Sequence, residues 1–510
     1  MAQILPLLDE HTGFLADESR YCGTASTIAF PTTEDEIVEI IRAMQASHCP
    51  ITVQGARTGI TGGAVPSGGH VMNLSRMTTI SPCRYDAARG EHYVTVQPGT
   101  LLMDIRTAVE SAGLFFPPDP TETSASIGGM VACNASGALS YHYGATRHWI
   151  RALHIVLANG SVLTLRRGEC VATGRTFSLV TQDGAEIAGV LPTYTMPHTK
   201  NAAGYYVADD MDLLDLFIGM EGTLGIISEI ELRLLPRPAA VVGLMLYFPT
   251  EAVALQFVHQ LRASAHQPVA LEFFDHQTLQ LLRRSKAELP AFSDLPTLRP
   301  HYHTAIYCEF HGTEEPAVEE EALSAAELAM ALGVSDEDSW YAGTPRELHA
   351  QKLFRHAVPE AVNLLIDTRR KTVPGLRKLG TDMSVPDHAL DTVMAMYRQD
   401  LQATGLESVL FGHIGNNHIH VNILPHSLEE YARGQALYLA WAERVVALGG
   451  SISAEHGIGK LKASFLPLMS GTEAIEQMAT LKACFAADGL FNPGNMLPCN
   501  SAQAKQRGAS

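Results

Sequence analysis

The segment 53–66, VQGARTGITGGAVP, sets four glycines (Gly55, Gly59, Gly62 and Gly63) behind an apolar lead-in of Ile51 and Val53. With almost no large side chains, it cannot pack a core. It can bend sharply and bring bare backbone N–H groups against a ligand. Successive N–H groups in a tight turn form an anion-binding nest, to which Thr58 and Thr61 add hydroxyls. No Gly-Lys-Ser/Thr closes the segment, which excludes a Walker loop. No apolar helical spacing follows it, which excludes the Rossmann fingerprint. A flexible surface turn has the same composition, so this stretch decides nothing alone.

The pattern recurs. In 117–144, Gly128, Gly129, Gly137 and Gly144 are interleaved with Ser124, Ser126, Asn134 and Ser136. In 219–228, GMEGTLGIIS, small residues again lead into a strand at 229–235. Three such segments within one domain point to a long ligand lying against backbone at several places. A dinucleotide fits that description.

Between them the chain alternates. Thr33 with Glu36 reads as a capping box, and Ile37, Ile40, Ile41 and Met44 give the face of a core helix. Leu101 to Ala112 reads as a helix ended by Gly113, and 153–157 with 162–165 as a hairpin. Pro236 and Pro238 mark a boundary, giving a first domain at 1–238. Residues 239–425 mix strands (243–248, 304–310, 409–413, 418–424) with helices (251–265, 317–332, 346–366, 387–404), a second α+β domain. The segment 426–510 reads as mostly helical, completing the active site.

The net charge of −18 disfavours nucleic acid or an anionic membrane surface as partner, while leaving a small anionic substrate free to find a local cationic pocket. No apolar run reaches the roughly 18 residues of a transmembrane helix, and no secretory signal is visible. The 8 cysteines hold no C-x-x-C, which suits a reducing cytoplasm and gives no local iron–sulfur signature. Electrons leaving this protein therefore need an external acceptor.

PTTEDEI (31–37), QGARTGITGGAVP (54–66), SIGGMVACNASG (126–137) and EGTLGIISEIELRLLP (221–236) resemble the FAD domain of the vanillyl-alcohol-oxidase/p-cresol-methylhydroxylase flavoproteins. GHIGNNHIHVN (412–422), SAEHGIGK (453–460) and FNPGN (491–495) narrow the resemblance to the D-lactate / D-2-hydroxyglutarate / glycolate dehydrogenase branch. The resemblance implies an α+β fold: a two-part FAD-binding domain, a ferredoxin-like α+β cap and a helical C-terminal segment. It implies an FAD site built from Gly55, Ala56, Arg57, Thr58, Gly59, Thr61, Gly62, Gly63, Ser124, Ser126, Gly128, Gly129, Asn134, Ser136, Gly137, Gly144, Glu221, Gly222, Gly225, Ile227 and Asn495. Ala56 and Arg57 stand where the family more often has glycine. Relatives with covalent flavin attach it through a His in the first glycine loop; none lies between 53 and 69, so non-covalent FAD is expected.

His413 and His420 flank Gly415-Asn416-Asn417. Asn tolerates the left-handed conformation, so Asn416-Asn417 is expected to form a two-residue hairpin turn pairing 413 with 420. The two imidazoles then face each other with Cβ atoms about 4.5–5.5 Å apart. His418 and Asn422 share their face. With Glu455 as third ligand the pair can hold one divalent ion, with zinc most suited and manganese or iron also compatible. The resemblance carries the same ligand roles and makes His456 the base. It also makes Arg355, in LFRHAVPE, the anchor of a substrate carboxylate, with Asn422 and Lys378 lining the pocket.

The expected chemistry is oxidation of a small D-2-hydroxy acid to the 2-oxo acid, with hydride passing to flavin N5. The hydroxyglutarate branch has a Lys where this chain has Gly380, so a short acid such as D-lactate is expected over one with a distal carboxylate; D-2-hydroxyglutarate and glycolate are the alternatives. The acceptor is a quinone, a cytochrome, an electron-transfer flavoprotein or an iron–sulfur subunit, and through it the cytoplasmic protein can sit peripherally on a membrane. Oligomeric state stays open, a homodimer included. Two other classes compete: a flavin transferase or reductase on the same scaffold, and a flavin-free zinc hydrolase, which leaves the glycine segments unexplained.

Overall fold

The computed structural model describes residues 3–486 and 489–498; Cys499 and the polar tail lie outside the described residues. Thr33 caps the helix Glu34–Ala46 by accepting the Glu36 N–H at 3.2 Å, and Ile37, Ile40, Ile41 and Met44 are its buried face. The expected reciprocal arm shifts by one residue. Glu36 Oε2 accepts from the N–H and the hydroxyl of Thr32, at 2.7 and 2.9 Å, because that residue offers two donors to one oxygen.

The helix packs on a four-stranded sheet ordered Ile4–Pro6, Thr27–Ala29, His70–Asn73, Ile51–Gln54, parallel after its first pair. The first glycine segment leaves this sheet directly from Gln54. A second sheet runs Arg84–Asp86, Glu91–Val96, Ile226–Pro236, Ile150–Val156, Val162–Arg166, with Leu114–Phe115 added to the long central strand. The third glycine segment feeds that strand. The helix Leu102–Ser111 stops at Gly113, whose φ of +72° ends it as expected. The hairpin Thr176–Val180 with Glu186–Val190 forms a small sheet of its own.

The third sheet is antiparallel throughout, in the order Ser339–Ala342, Ala240–Phe248, Thr304–Gly312, Ala270–Phe274, Ser408–His413, His418–Ile423, Leu379–Gly380. Its first four strands lie in the chain order fourth, first, third, second. Helices Glu251–Ala263 and Glu315–Ala331 follow the first and third of them, which is the ferredoxin-like arrangement.

The last segment carries two long helices. Helices Leu428–Ala447 and Leu466–Phe485 flank an irregular stretch at 448–465, and the second is broken at Gly471, φ +80°. That stretch is stitched to three segments distant in sequence. Ser451 and Ser384 exchange backbone bonds at 2.9 and 3.2 Å, Ala202 N–H donates to Ser453 O at 2.8 Å, and Lys460 N–H donates to Thr61 O at 3.0 Å. Phe491 then bridges to Ile51. Glu455 and His456 thus sit where the cap sheet meets the glycine-rich domain. Among the described residues no helix is long and apolar enough to cross a membrane.

Candidate active site

The hairpin carrying the histidines is built differently from the expectation. His413 pairs with His418, and His420 with Phe411. The connection is a four-residue loop, 414–417, not a two-residue turn. A two-residue type I′ turn needs positive φ at both centres. Only Asn417 has it, at +52°, held by Asp387, which accepts its amide at 2.6 Å, and by Arg262, which donates to its Oδ1 at 2.7 Å. The register moves by two residues, an even number, so every side chain keeps its face. His413, His418 and His420 therefore still converge, with ring centroids 4.3–5.6 Å apart.

Glu455 closes the cluster from the 448–465 stretch. Its Oε1 lies 3.2 Å from His413 Nε2, and its Oε2 lies 3.7 Å from His420 Nε2 and 4.0 Å from His418 Nδ1. The Ser136 hydroxyl donates to Oε1 at 3.0 Å, and the Lys200 ammonium forms an ion pair with the same oxygen. Burial raises the affinity of Glu455 for a proton, but His413 and Lys200 outweigh it and hold the carboxyl well below its ordinary value. Nδ1 of His413 bonds Glu272 Oε1 at 2.7 Å, and Nδ1 of His420 bonds Thr381 O at 2.9 Å. Such outer partners fix which nitrogen faces inward, as at metal-binding histidines.

Asp382 organises the other side. Its carboxylate accepts the N–H of Glu455 at 3.1 Å and of His456 at 3.0 Å, the Ser453 hydroxyl at 2.8 Å and the Lys462 ammonium at 2.7 Å. It also lies 3.3 Å from His456 Nδ1. Burial pushes His456 down to about 4 against the pull of Asp382, so the imidazole is neutral at physiological pH.

Arg355 projects from the helix Pro345–Thr372 toward the same sheet face. It lies over the Tyr307 ring at 4.8 Å, with Nη1 3.8 Å from Glu309 Oε2 and no hydrogen-bond partner for Nε. Asn422, buried in the strand after His420, has both amide atoms unpartnered. Gly380 lies against it: a Cβ there would come within 2.8 Å of Asn422 Oδ1. Lys378 is exposed beside that strand. Lys200, Glu272 and Asp382 escape sequence reading because nothing in their local spacing marks them; strand register and a long loop bring them in.

The glycine segments meet in space. A Cβ on Gly55 would lie 2.0 Å from Ser126 Oγ, and the Ala56 N–H donates to that oxygen at 3.2 Å. On the other flank Asn495 donates to Gly63 O at 2.9 Å, and Thr61 Oγ1 donates to His456 O at 3.3 Å. Gly59 faces open space, and a Cβ on Gly63 would meet nothing closer than 3.6 Å. Arg57 takes φ +61° and Gly62 +74° on the loop that also carries Thr58, while Gly129 lies in the helix Ile127–Cys133. Other close approaches are to the protein itself: Gly128 to Pro98, Gly137 to Asp119 O, Gly144 to the His148 ring and Gly225 to Ile155. Ile227 pairs with Ile155, the Ser124 hydroxyl with Glu122, and Asn134 Oδ1 with the Arg147 N–H.

Glu221 and Gly222 both take positive φ. The two Glu221 oxygens accept the N–H groups of Ile458 at 2.6 Å and Gly459 at 2.7 Å, bracing the loop of His456. Burial nevertheless pushes this carboxyl up to about 7. The folded chain therefore binds that proton more tightly than the unfolded chain does. The stabilisation is fully present below the ordinary value of 4.5 and is lost as pH rises through about 7. Urea denaturation across that window should show stability falling with pH by about 3 kcal/mol from this group. Glu221→Gln should flatten the slope, and an unchanged slope in the variant rejects the assignment.

Comparison with known proteins agrees with this architecture. The model "FAD linked oxidases, C-terminal domain" matches residues 237–496, just over half of the chain, and "FAD binding domain" matches 25–166. The chain is 28% identical to a D-lactate dehydrogenase of Anaerostipes hadrus, covering 95% of this chain and 92% of the relative. It is 30% identical to a D-2-hydroxyglutarate dehydrogenase of Xanthomonas citri pv. viticola, covering 95% and 91%. The glycolate oxidase subunit GlcD of Bacillus subtilis is 28% identical, covering 94% and 90%. A solved alkyldihydroxyacetonephosphate synthase superposes with a TM-score of 0.64 at 17% identity over 93% of this chain and 77% of that one, which shows a shared fold. The fold is of the vanillyl-alcohol-oxidase/p-cresol-methylhydroxylase type, and the chain belongs to the FAD-linked oxidases, joining an FAD-binding domain to the C-terminal domain of that family.

Proposed function

We propose that this protein oxidises a small D-2-hydroxy acid, D-lactate in the first place, to the 2-oxo acid. Full-length relatives named for D-lactate, D-2-hydroxyglutarate and glycolate support the substrate class. One observation carries the reading: buried, unpartnered polar atoms of Arg355, His418 and Asn422 lie on the sheet face that carries His413 and His420, where Glu455 closes the cluster and a neutral His456 adjoins it. Native interiors rarely leave such groups unpaired, so the arrangement calls for a polar ligand.

Both implied groups fit the residues present. The open backbone at Gly59 and Gly63, between Ser126 and Asn495, suits non-covalent FAD, which when bound accepts the hydride equivalent. His413, His420 and Glu455 suit a divalent ion of the zinc, manganese or iron class, which when bound stabilises charge developing on the hydroxyl oxygen.

The chain's own residues do the rest. Arg355, over the Tyr307 ring, offers its planar fork to the substrate carboxylate. Asn422 supplies the amide that orients the acid. His456, with Nδ1 turned to Asp382, takes the hydroxyl proton at Nε2, and Asp382 stabilises the imidazolium formed. Lys378 stands at the pocket edge, and Gly380 supplies no cation for a distal carboxylate, which favours a short acid. Electrons leave to an external acceptor: a quinone, a cytochrome, an electron-transfer flavoprotein or an iron–sulfur subunit.

Anaerobic stopped-flow reduction of the purified protein with D-lactate, L-lactate, glycolate and D-2-hydroxyglutarate tests the reading. D-lactate is expected to bleach the flavin and L-lactate to leave it oxidised. No bleaching by any 2-hydroxy acid rejects the function. Equal kcat/KM for D-lactate and D-2-hydroxyglutarate rejects the preference for a short acid.

A further inference from the structure

We propose that His418 is a third imidazole ligand of the divalent ion, so that the donor set is three histidines and one glutamate. The inference deepens the metal-dependent reading above and rests on it. His418 lies opposite His413 across the hairpin and shares the face of His420 by the two-residue period of a strand. Its side chain is fully buried, and neither ring nitrogen makes a hydrogen bond.

The three rings are set alike. Each turns one nitrogen outward to an oxygen: Glu272 Oε1 for His413, Thr381 O for His420, and Asp382 Oδ1 for His418 at 3.1 Å, off the axis of a true hydrogen bond. Each turns its other nitrogen toward Glu455, at 3.2, 3.7 and 4.0 Å. One ligand atom from each of the four residues falls within 4.8 Å of all the others. Donors around one ion at bond lengths near 2.1 Å stand about 3.4 Å apart in a tetrahedral shell, so these four need only small movements to close on it.

A structural histidine held by Asp382 is the plain alternative. Asp382 is already engaged by Ser453, Lys462 and two backbone N–H groups, and it leaves the inward Nδ1 of His418 with nothing to meet. An unpaired polar atom in a dry interior costs about 1–3 kcal/mol, and a ligand bond removes that cost. The consequence is chemical. Catalytic zinc sites keep three protein ligands and one open position. With four protein donors, the ion must reach five or six coordination to admit the substrate. That favours manganese, iron or cobalt over zinc.

The test loads metal-free, flavin-bound protein with Co(II). X-ray absorption of the unmutated protein is expected to count three imidazoles at the cobalt; two imidazoles overturn the proposal while leaving the parent reading intact. His418→Asn and His418→Gln are each expected to shift the cobalt visible bands and to weaken cobalt at least about tenfold in chelator competition. Unchanged bands and affinity in either folded variant overturn it. Failure of the unmutated protein to retain cobalt overturns this proposal together with the metal-dependent reading on which it rests.

Discussion

His456→Gln slows reduction of the bound flavin by a 2-hydroxy acid by about 100- to 10,000-fold, the span expected for loss of a positioned general base. The neutral imidazole is poised by its surroundings. Burial pushes it down to about 4, its backbone N–H is tied to Asp382, and its ring lies parallel to His420 with centroids 5.6 Å apart. Gln preserves size and polarity but has no basic nitrogen. Arg355 and Asn422 are untouched, so substrate affinity should stay within a few-fold while the reduction step collapses. Rapid-mixing reduction over a range of D-lactate concentrations separates the two quantities. A variant reducing flavin within about fivefold of the parent, below the range for general-base loss, would assign the proton to another group.

The meeting of Glu455-His456 with the histidine hairpin was legible because glycines flank the dipeptide and two histidines recur at fixed spacing. Face membership survived an error in the turn, since a strand's alternation depends only on parity. The fold was legible where one face is wet: the helix Glu34–Ala46 shows its stripe openly. It was less legible in Ala270–Phe274, where all five residues are buried and no period distinguishes strand from helix. Glu272 lies in that strand, and with it went the outer partner of His413. The 448–465 stretch defeated composition for another reason. It owes its shape to bonds with Ser384, Ala202 and Thr61, all distant in sequence, so its glycines mark an irregular segment without showing where it goes. Lys200 and Asp382 became visible only through those same crossings.

Arg355→Met lowers kcat/KM for D-lactate by about 100- to 10,000-fold, the equivalent of two charge-assisted hydrogen bonds at about 1.5–3 kcal/mol each. The guanidinium is free to make them. Glu309, its nearest carboxylate, is already satisfied by the Tyr307 hydroxyl and by His311 Nε2 at 2.8 Å. The loose 3.8 Å contact to Arg355 is therefore charge balance, not a saturated bidentate pair. Burial alone would weaken the guanidinium's hold on its proton, but Glu272, Tyr307, Glu309 and Asp119 outweigh it, so the buried group stays cationic. Removing it also leaves the negative charge of those carboxylates less balanced while each keeps a closer partner, so the single variant should lose stability as well. Arg355→Met combined with Glu309→Gln removes charge from both sides. It should regain much of the stability while kcat/KM stays low, because a neutral pocket still lacks the fork that grips a carboxylate. Arg355→Lys should restore charge and stability but little of kcat/KM, since an ammonium makes no planar bidentate pair. Recovery of kcat/KM in step with stability in the double variant would mean that Arg355 acts through packing and that the acid is anchored elsewhere on the cap sheet.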